Sequence, residues 1–256
     1  MTIRAQSKVL FDDGTHRNIL LPAFDEGDAV PANQHLVVHG RAGMILDPGG
    51  HKVYSRVLSE TTTRLGGAKL DKVFLSHQDP DIVAAINGWL MTTDAVAYAP
   101  SLWTRFIPHF GLDRLVLDRL KGVPDTGQRL DLGGAELIVL PAHFLHSCGN
   151  LHVYDPVSKI LYSGDLGASV GVEYDEVSDF DAHAERMKGF HQRYMASNVA
   201  LHAYVRMVRG LDIELVAPQH GAFFRGKEMV GKFWDWLDAL PCGIDLMLDS
   251  YVVPAK

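Results

Sequence analysis

Three histidines and three aspartates in this chain have the donor types and spacing to hold a pair of metal ions. They are His77, Asp79 and Asp81 in SHQDPDI, His146 in PAHFLHSCGN, Asp165 in YSGDLGAS and His220 in PQHG. Imidazole nitrogens and carboxylate oxygens without a thiolate suit iron, manganese or zinc, and do not suit copper(I) or an iron–sulfur cluster. The run from His77 to Asp81 also brings two carboxylates close together, which costs energy unless a cation neutralises them. A plainer role is available, because Asp79 or Asp81 could cap the helix that follows. Taken alone, the run fits both roles equally.

The elements that must position these residues tilt the balance. KVLFDDGTHRNILL and HLVVHGRAGMILDPGG each read as two β-rich runs around a Gly-containing turn, hence a pair of hairpins. Residues 51–66 are helical in character and lead into KVFLSHQD, a short apolar strand that delivers His77. DIVAAINGWLMT has a helical apolar period, with Asp79 and Asp81 at its positive end. VAYAP, LVL, QRLDLG and ELIVLPA are further strands, with a short helix in SLWTRFIPHF. LHVYDPVSKILYSGDLG reads as a hairpin ending at Asp165. The stretch from 179 to 210 reads as long helix, interrupted at Gly189, and ELVAPQHG is a last strand ending at His220 before a closing helix in EMVGKFWDWLDAL. His77, His146, Asp165 and His220 thus all follow strand-like runs, and all but His77 have a glycine close by (Gly149, Gly164, Gly167, Gly221). Strand ends on one edge of a sheet are where ligand groups gather.

The ordered set HxDxD, LHSxGN, SGDLG and PQHG resembles the metallo-β-lactamase superfamily, and within it the diiron branch of flavodiiron proteins and related stand-alone oxygen-binding diiron proteins. The resemblance runs from the DPGG turn at Asp47 to PQHG. It implies an α/β fold, a four-layer αββα sandwich, with residues 1–256 forming a single metallo-β-lactamase-like domain. It also implies that His77, Asp79 and His146 hold the first metal, Asp81 and His220 the second, and that Asp165 bridges them. Two departures from the hydrolase pattern HxHxDH matter. Asp79 stands where hydrolases place a histidine, which hardens the site and favours ferric iron over zinc. Ile82 replaces the last histidine, so the second metal has at most three protein ligands and keeps an open position.

Around this set, His143 could line the pocket or orient a ligand, and Tyr194 resembles the tyrosine that approaches the diiron pocket in stand-alone oxygen-binding members. Both are candidate catalytic residues, and ordinary packing is the equal alternative for each. Asn150 is expected to fix the LHSCGN turn. FWDWL reads as core. Cys148 reads as a small half-buried core residue despite its nearness to His146. His16, His35, His39, His51, His109, His152, His183, His191 and His202 lack a partner at ligand spacing and read as surface or satisfied core.

Composition excludes several classes of partner. A formal net charge of −7 with scattered basic residues gives no electrostatic footprint for nucleic acid. No apolar run approaches the ~20 residues that span a bilayer, MTIRAQSKVLFDDG lacks a signal-peptide core, and Cys148 and Cys242 are the only cysteines; these point to a cytoplasmic protein. The expected function is that of a non-haem diiron protein with two iron ions, zinc or manganese being the alternative metals. It would bind O2 or NO for sensing, or reduce either for detoxification. The chain ends at PAK without a flavodoxin domain, so reduction calls for a separate flavin or rubredoxin-type electron donor. Dimeric family members imply a homodimer. The competing reading is a metallohydrolase in which a metal-bound hydroxide attacks an ester, thioester or phosphodiester, with Asp81 as base.

Overall fold

Alternating burial along the strands sorts the apolar side chains into three separate cores. In β3 (His35–His39), Leu36 and Val38 face one core and Val37 another; at the end of β5 (Lys69–Phe74), Val73 and the following Leu75 face one and Phe74 the other. In β10 (Leu151–Asp155), Val153 and Tyr154 divide in the same way, as do Leu215 and Val216 of β12 (Leu215–Ala217). Such a period of two with both faces buried requires layers on each side of each sheet.

A computed structural model, describing residues 5–24 and 30–254, supplies those layers. One sheet runs in the order β1 (Lys8–Asp12), β2 (His16–Leu20), β3, β4 (Ala42–Leu46), β5, β6 (Val96–Pro100), β7 (Leu120–Val123). The other runs β13 (Phe224–Arg225), β12, β11 (Ile160–Tyr162), β10, β9 (Ala135–Pro141), β8 (Gln128–Leu132). Their inner faces share one core, including Val37, Met44, Phe74, Leu137, Val153 and Leu215. Outside the first sheet, α1 (Tyr54–Leu65) and α3 (Ile86–Thr92) bury Val57, Trp89 and Leu90. Outside the second, α4 (Phe180–Tyr194), α5 (Asn198–Val208) and α6 (Lys227–Ala239) bury Met187, Val205, Phe233 and Leu237. Each such side chain contributes about 1.5–3 kcal/mol of transfer free energy. The expected αββα sandwich is the observed one.

Both N-terminal hairpins form, as does the DPVSK hairpin. Five local expectations need correction. ELVAPQHG does not hold the last strand, since β13 follows it and pairs with β12. LVL is not a strand: Leu115 is exposed and Leu117 begins a 3-10 turn, while the edge strand is Leu120–Val123. The helix after His77 breaks at Ala84–Ala85 into α2 (Pro80–Val83) and α3. SLWTRFIPHF holds one 3-10 turn, Ile107–Phe110, with Pro108 near its start. Finally, α4 runs straight through Gly189, and the break comes at Met195–Ser197. Residues distant in sequence fix that break: Gly243 N donates to Gln192 O, Ile244 N to Ala196 O, and Asp245 Oδ2 accepts from Asn198 N. No helix among the described residues is long and apolar enough to cross a membrane.

Candidate metal centre

Strand direction brings the four segments to one end of the sandwich. β9 and β11 both pair antiparallel with β10, and β12 is parallel to β11, so the chain leaves β9, β11 and β12 at the same end. His146, Asp165 and His220 lie in the loops that follow, and His77 lies in the loop after β5. A bond from Leu151 N to Ser76 O, 3.0 Å, ties the His77 loop to the second sheet.

There the six side chains converge. His77 Nε2 faces His146 Nε2 at 3.2 Å. Asp79 Oδ2 is 3.7 Å from the first of these nitrogens and 3.5 Å from the second. Asp165 Oδ2 is 3.0 Å from His146 Nε2. One donor atom from each of His77, Asp79, His146 and Asp165 lies within 4.8 Å of the others. On the opposite side, Asp165 Oδ1 is 3.5 Å from His220 Nε2, which is 3.4 Å from Asp81 Oδ2. Asp165 is therefore shared between a fuller set and a poorer one.

The donors fit metal ions. His220 Nδ1 lies 2.8 Å from the Pro31 carbonyl, an acceptor only, so Nδ1 carries the proton and Nε2 presents its lone pair to Asp81 and Asp165. Asp165 Oδ1 is buried without a hydrogen-bond donor. Burial penalises charge on both His77 and Asp165, but the opposite charges around each outweigh it. The Asp79 and Asp165 carboxylates raise the His77 pKa to about 9, and the His146, His77 and His220 imidazoles hold the Asp165 carboxyl well below its usual range. A cation is what this field lacks. Asp79 also declines the capping role open to it: it occupies the N-cap position of α2, yet its side chain makes no cap hydrogen bond.

The neighbouring residues divide. Phe190 and Tyr194 stack with ring centroids 4.7 Å apart, and Tyr194 meets the His146 ring edge-on at 5.8 Å. His143 is directed elsewhere. Its Nε2 lies 2.7 Å from the Asp125 carbonyl and its ring lines a surface depression with Ala200 and Tyr204. Phe144, at φ 67°, turns the chain between His143 and His146. Asn150 does fix its turn, donating to the Leu145 carbonyl, and FWDWL buries Phe233, Trp234 and Leu237. Cys148 is exposed, not half-buried.

Two supports escaped the sequence reading. Ser76 Oγ lies 2.9 Å from His77 Nδ1, and Ser76 N donates to the buried Asp47 at 2.8 Å. His191 donates from Nδ1 to the Met187 carbonyl and accepts from Gly167 N at Nε2, 2.9 Å, pinning the Asp165 loop to α4. Among thirteen histidines, nothing in sequence singles it out.

The chain matches the family model of the ODP family beta lactamase over residues 30–221. It belongs to that family. Two solved structures of the chemotaxis sensor ODP are similar across nearly the whole chain. One, described as a peroxy diiron species, has a TM-score of 0.86 and 39% identity, covering 96% of this chain and 100% of that one. The other, the apo state from T. denticola, has a TM-score of 0.84 and 38% identity, covering 97% and 100%. A flavodiiron core from Synechocystis shares the fold, with a TM-score of 0.74 at 19% identity over 91% of this chain and 61% of that one. An uncharacterised protein of Methanocaldococcus jannaschii is 26% identical over 207 residues, 78% of this chain. The chain spans about half the length of that relative.

Burial lowers the His191 pKa to about 4, which sets a pH dependence for this ODP-family chain. The unfolded chain takes up a proton near pH 6.5 and the folded chain does not, so stability is lost as pH falls from about 6.5 towards 4, by up to roughly 3 kcal/mol. Denaturant unfolding of metal-free protein at pH 7 and pH 5 should show a loss in the wild type that is smaller by about 2 kcal/mol in His191→Gln. Identical pH dependence in the two proteins would remove His191 from this account.

Proposed function

We propose that the chain is a non-haem diiron protein that binds O2 and serves as an oxygen sensor. The observation that carries this is the asymmetry of the centre: His77, Asp79, His146 and Asp165 face one position, and only Asp81, His220 and the other oxygen of Asp165 face the second. Ile82, where a fourth protein ligand of the second metal would come from, is wholly buried in the core shared with α3. Iron, when bound, would supply the electrons and the vacant coordination position that a diatomic ligand needs.

The chain's own groups suit that ligand. A cavity of about 380 Å³ reaches Asp81, with walls that include Phe24, Ala32, Val53 and Ala84. An apolar diatomic enters such space without losing hydrogen bonds to water. Phe190 and Tyr194 flank the His146 ring edge-on, and in this reading the exposed Tyr194 phenol donates a hydrogen bond to the bound ligand. His143 has no role at the metals in this reading. Residues 1–256 are read as one cytoplasmic domain that assembles as a homodimer, with a separate flavin or rubredoxin-type donor re-reducing the irons.

Anaerobic purification followed by metal analysis and exposure to air tests the reading. Two irons per chain with a visible absorption change on meeting O2 are expected. Stoichiometric zinc with turnover of a generic ester or phosphodiester supports the hydrolase instead. Tyr194→Phe should shorten the lifetime of the O2-bound form about tenfold or more, since a hydrogen bond to a charged partner contributes about 1.5–3 kcal/mol. An unchanged decay in that variant removes the phenol from the mechanism.

A further inference from the structure

The side chain of Asp79 is held from behind. Its Oδ2 faces His77 and His146, while its Oδ1 accepts a hydrogen bond from Gln78 Nε2 at 2.8 Å. The other end of the Gln78 amide, Oε1, accepts from Ser147 Oγ at 2.6 Å. Ser147 Oγ in turn accepts from Trp103 Nε1 at 3.2 Å and from Gly149 N at 3.3 Å.

The direction of every bond in this chain is forced. An indole N–H and a backbone N–H can only donate, so the single proton of Ser147 must go to Gln78. Gln78 therefore presents its oxygen to Ser147 and its amino group to Asp79. Amide orientation is normally a matter of choice between two alternatives, and here two obligate donors settle it. Gly149 has its own reason to be glycine: a Cβ there would come within 2.9 Å of Trp103 Nε1 and 2.9 Å of Leu102 Cδ2, displacing the indole that starts the relay.

We infer that Gln78 is a positioning residue, held by Ser147 and Trp103, which occupies one oxygen of Asp79 so that the carboxylate offers a single oxygen to the metal. The inference rests on the reading of Asp79 as a ligand and extends it to a residue beyond the cluster. Asp79 on its own could offer both oxygens and raise the coordination number of the first metal. With Oδ1 occupied, it offers Oδ2 alone. Among the described residues Trp103 makes no hydrogen bond or ring contact with the six candidate ligands, and its bond to Ser147 is the route by which it would act on Asp79.

Cobalt(II) titration of the full-length protein tests this without any turnover, because the visible absorption of cobalt(II) weakens as its coordination number rises. Wild type, Trp103→Phe, Gln78→Met and the double variant are compared, each checked for folding by circular dichroism in the metal-free state. Trp103→Phe keeps the ring and deletes the donor; Gln78→Met keeps the stem and deletes both amide bonds. Deleting a group that orients a metal ligand costs about 10–100-fold in metal affinity, so Gln78→Met is expected to raise the cobalt(II) Kd within that range and Trp103→Phe to raise it about tenfold. Both should show a weaker absorption band. The double variant should match Gln78→Met, since both changes cut one relay. A Trp103→Phe spectrum and Kd equal to the wild type, or independent effects that multiply in the double variant, overturn the inference. Should Gln78→Met fail to fold, the comparison of Trp103→Phe with wild type decides alone. Wild-type protein that takes up no cobalt(II) overturns the metal centre itself, whereas uptake that is indifferent to Trp103 overturns only the positioning role.

Discussion

Replacing Asp165 with alanine is expected to cost the protein both metals. Its Oδ2 lies 3.0 Å from His146 and its Oδ1 3.5 Å from His220, so one carboxylate serves both positions. Without it the first position keeps His77, Asp79 and His146, and the second keeps only Asp81 and His220. Metal analysis after dialysis should show both metals lost together. The loss should also appear in stability, because a metal present at a thousand times its Kd stabilises the folded state by about 4 kcal/mol. For a chain of this size that is a melting shift of about 10 °C, present in the wild type and absent from Asp165→Ala. The metal-free variant should fold, since the buried Oδ1 receives no hydrogen bond from the protein and its removal strands no donor there. A variant that keeps one metal at wild-type affinity would show that Asp165 does not bridge.

The residues of the candidate centre could be picked out in the sequence because the features that bring them together are local. Each of His77, His146, Asp165 and His220 follows an apolar run of strand length, and strand ends are the part of a sandwich whose position depends least on distant contacts. The side chains that orient them could not be read that way. Gln78 adjoins Asp79, but its partners Ser147 and Trp103 come from loops far along the chain, and no periodicity relates them. His191 reaches the Asp165 loop only because α4 packs on the second sheet. His143 shows the converse error: three residues from His146, it is turned away by one backbone reversal at Phe144 and spends its ring on the Asp125 carbonyl. The break between α4 and α5 was likewise set at a distance, by Asp245 and the backbone of Gly243 and Ile244, while Gly189 fits a helix without strain. Local pattern gave the scaffold and the groups that chemistry needs. Tertiary hydrogen bonding gave their orientation.

Converting Asp79 to histidine should exchange the metal as well as the ligand. The first position now faces two imidazoles and two carboxylates; Asp79→His makes it three imidazoles and one carboxylate, the arrangement that the hydrolase pattern places there. Zinc binds nitrogen donors readily and generally exceeds iron(II) in intrinsic affinity, so retention of iron depends on what the protein offers in oxygen donors and negative charge. Asp79 supplies both. Its removal also takes away a negative charge that, with Asp165 and Asp47, raises the pKa of His77 to about 9 against the effect of burial. Protein produced with iron and zinc equally available should therefore carry mainly iron as wild type and mainly zinc as Asp79→His. The absorption change on exposure to air should fall with the iron, since zinc has no accessible second oxidation state to engage O2. Gln78 loses its carboxylate partner in the same variant, so the cobalt(II) spectrum should become insensitive to Trp103→Phe in the Asp79→His background. If Asp79→His instead keeps iron and its response to air at wild-type levels, the carboxylate at position 79 does not select the metal, and selection must lie in Asp81, Asp165 or the supply of iron itself.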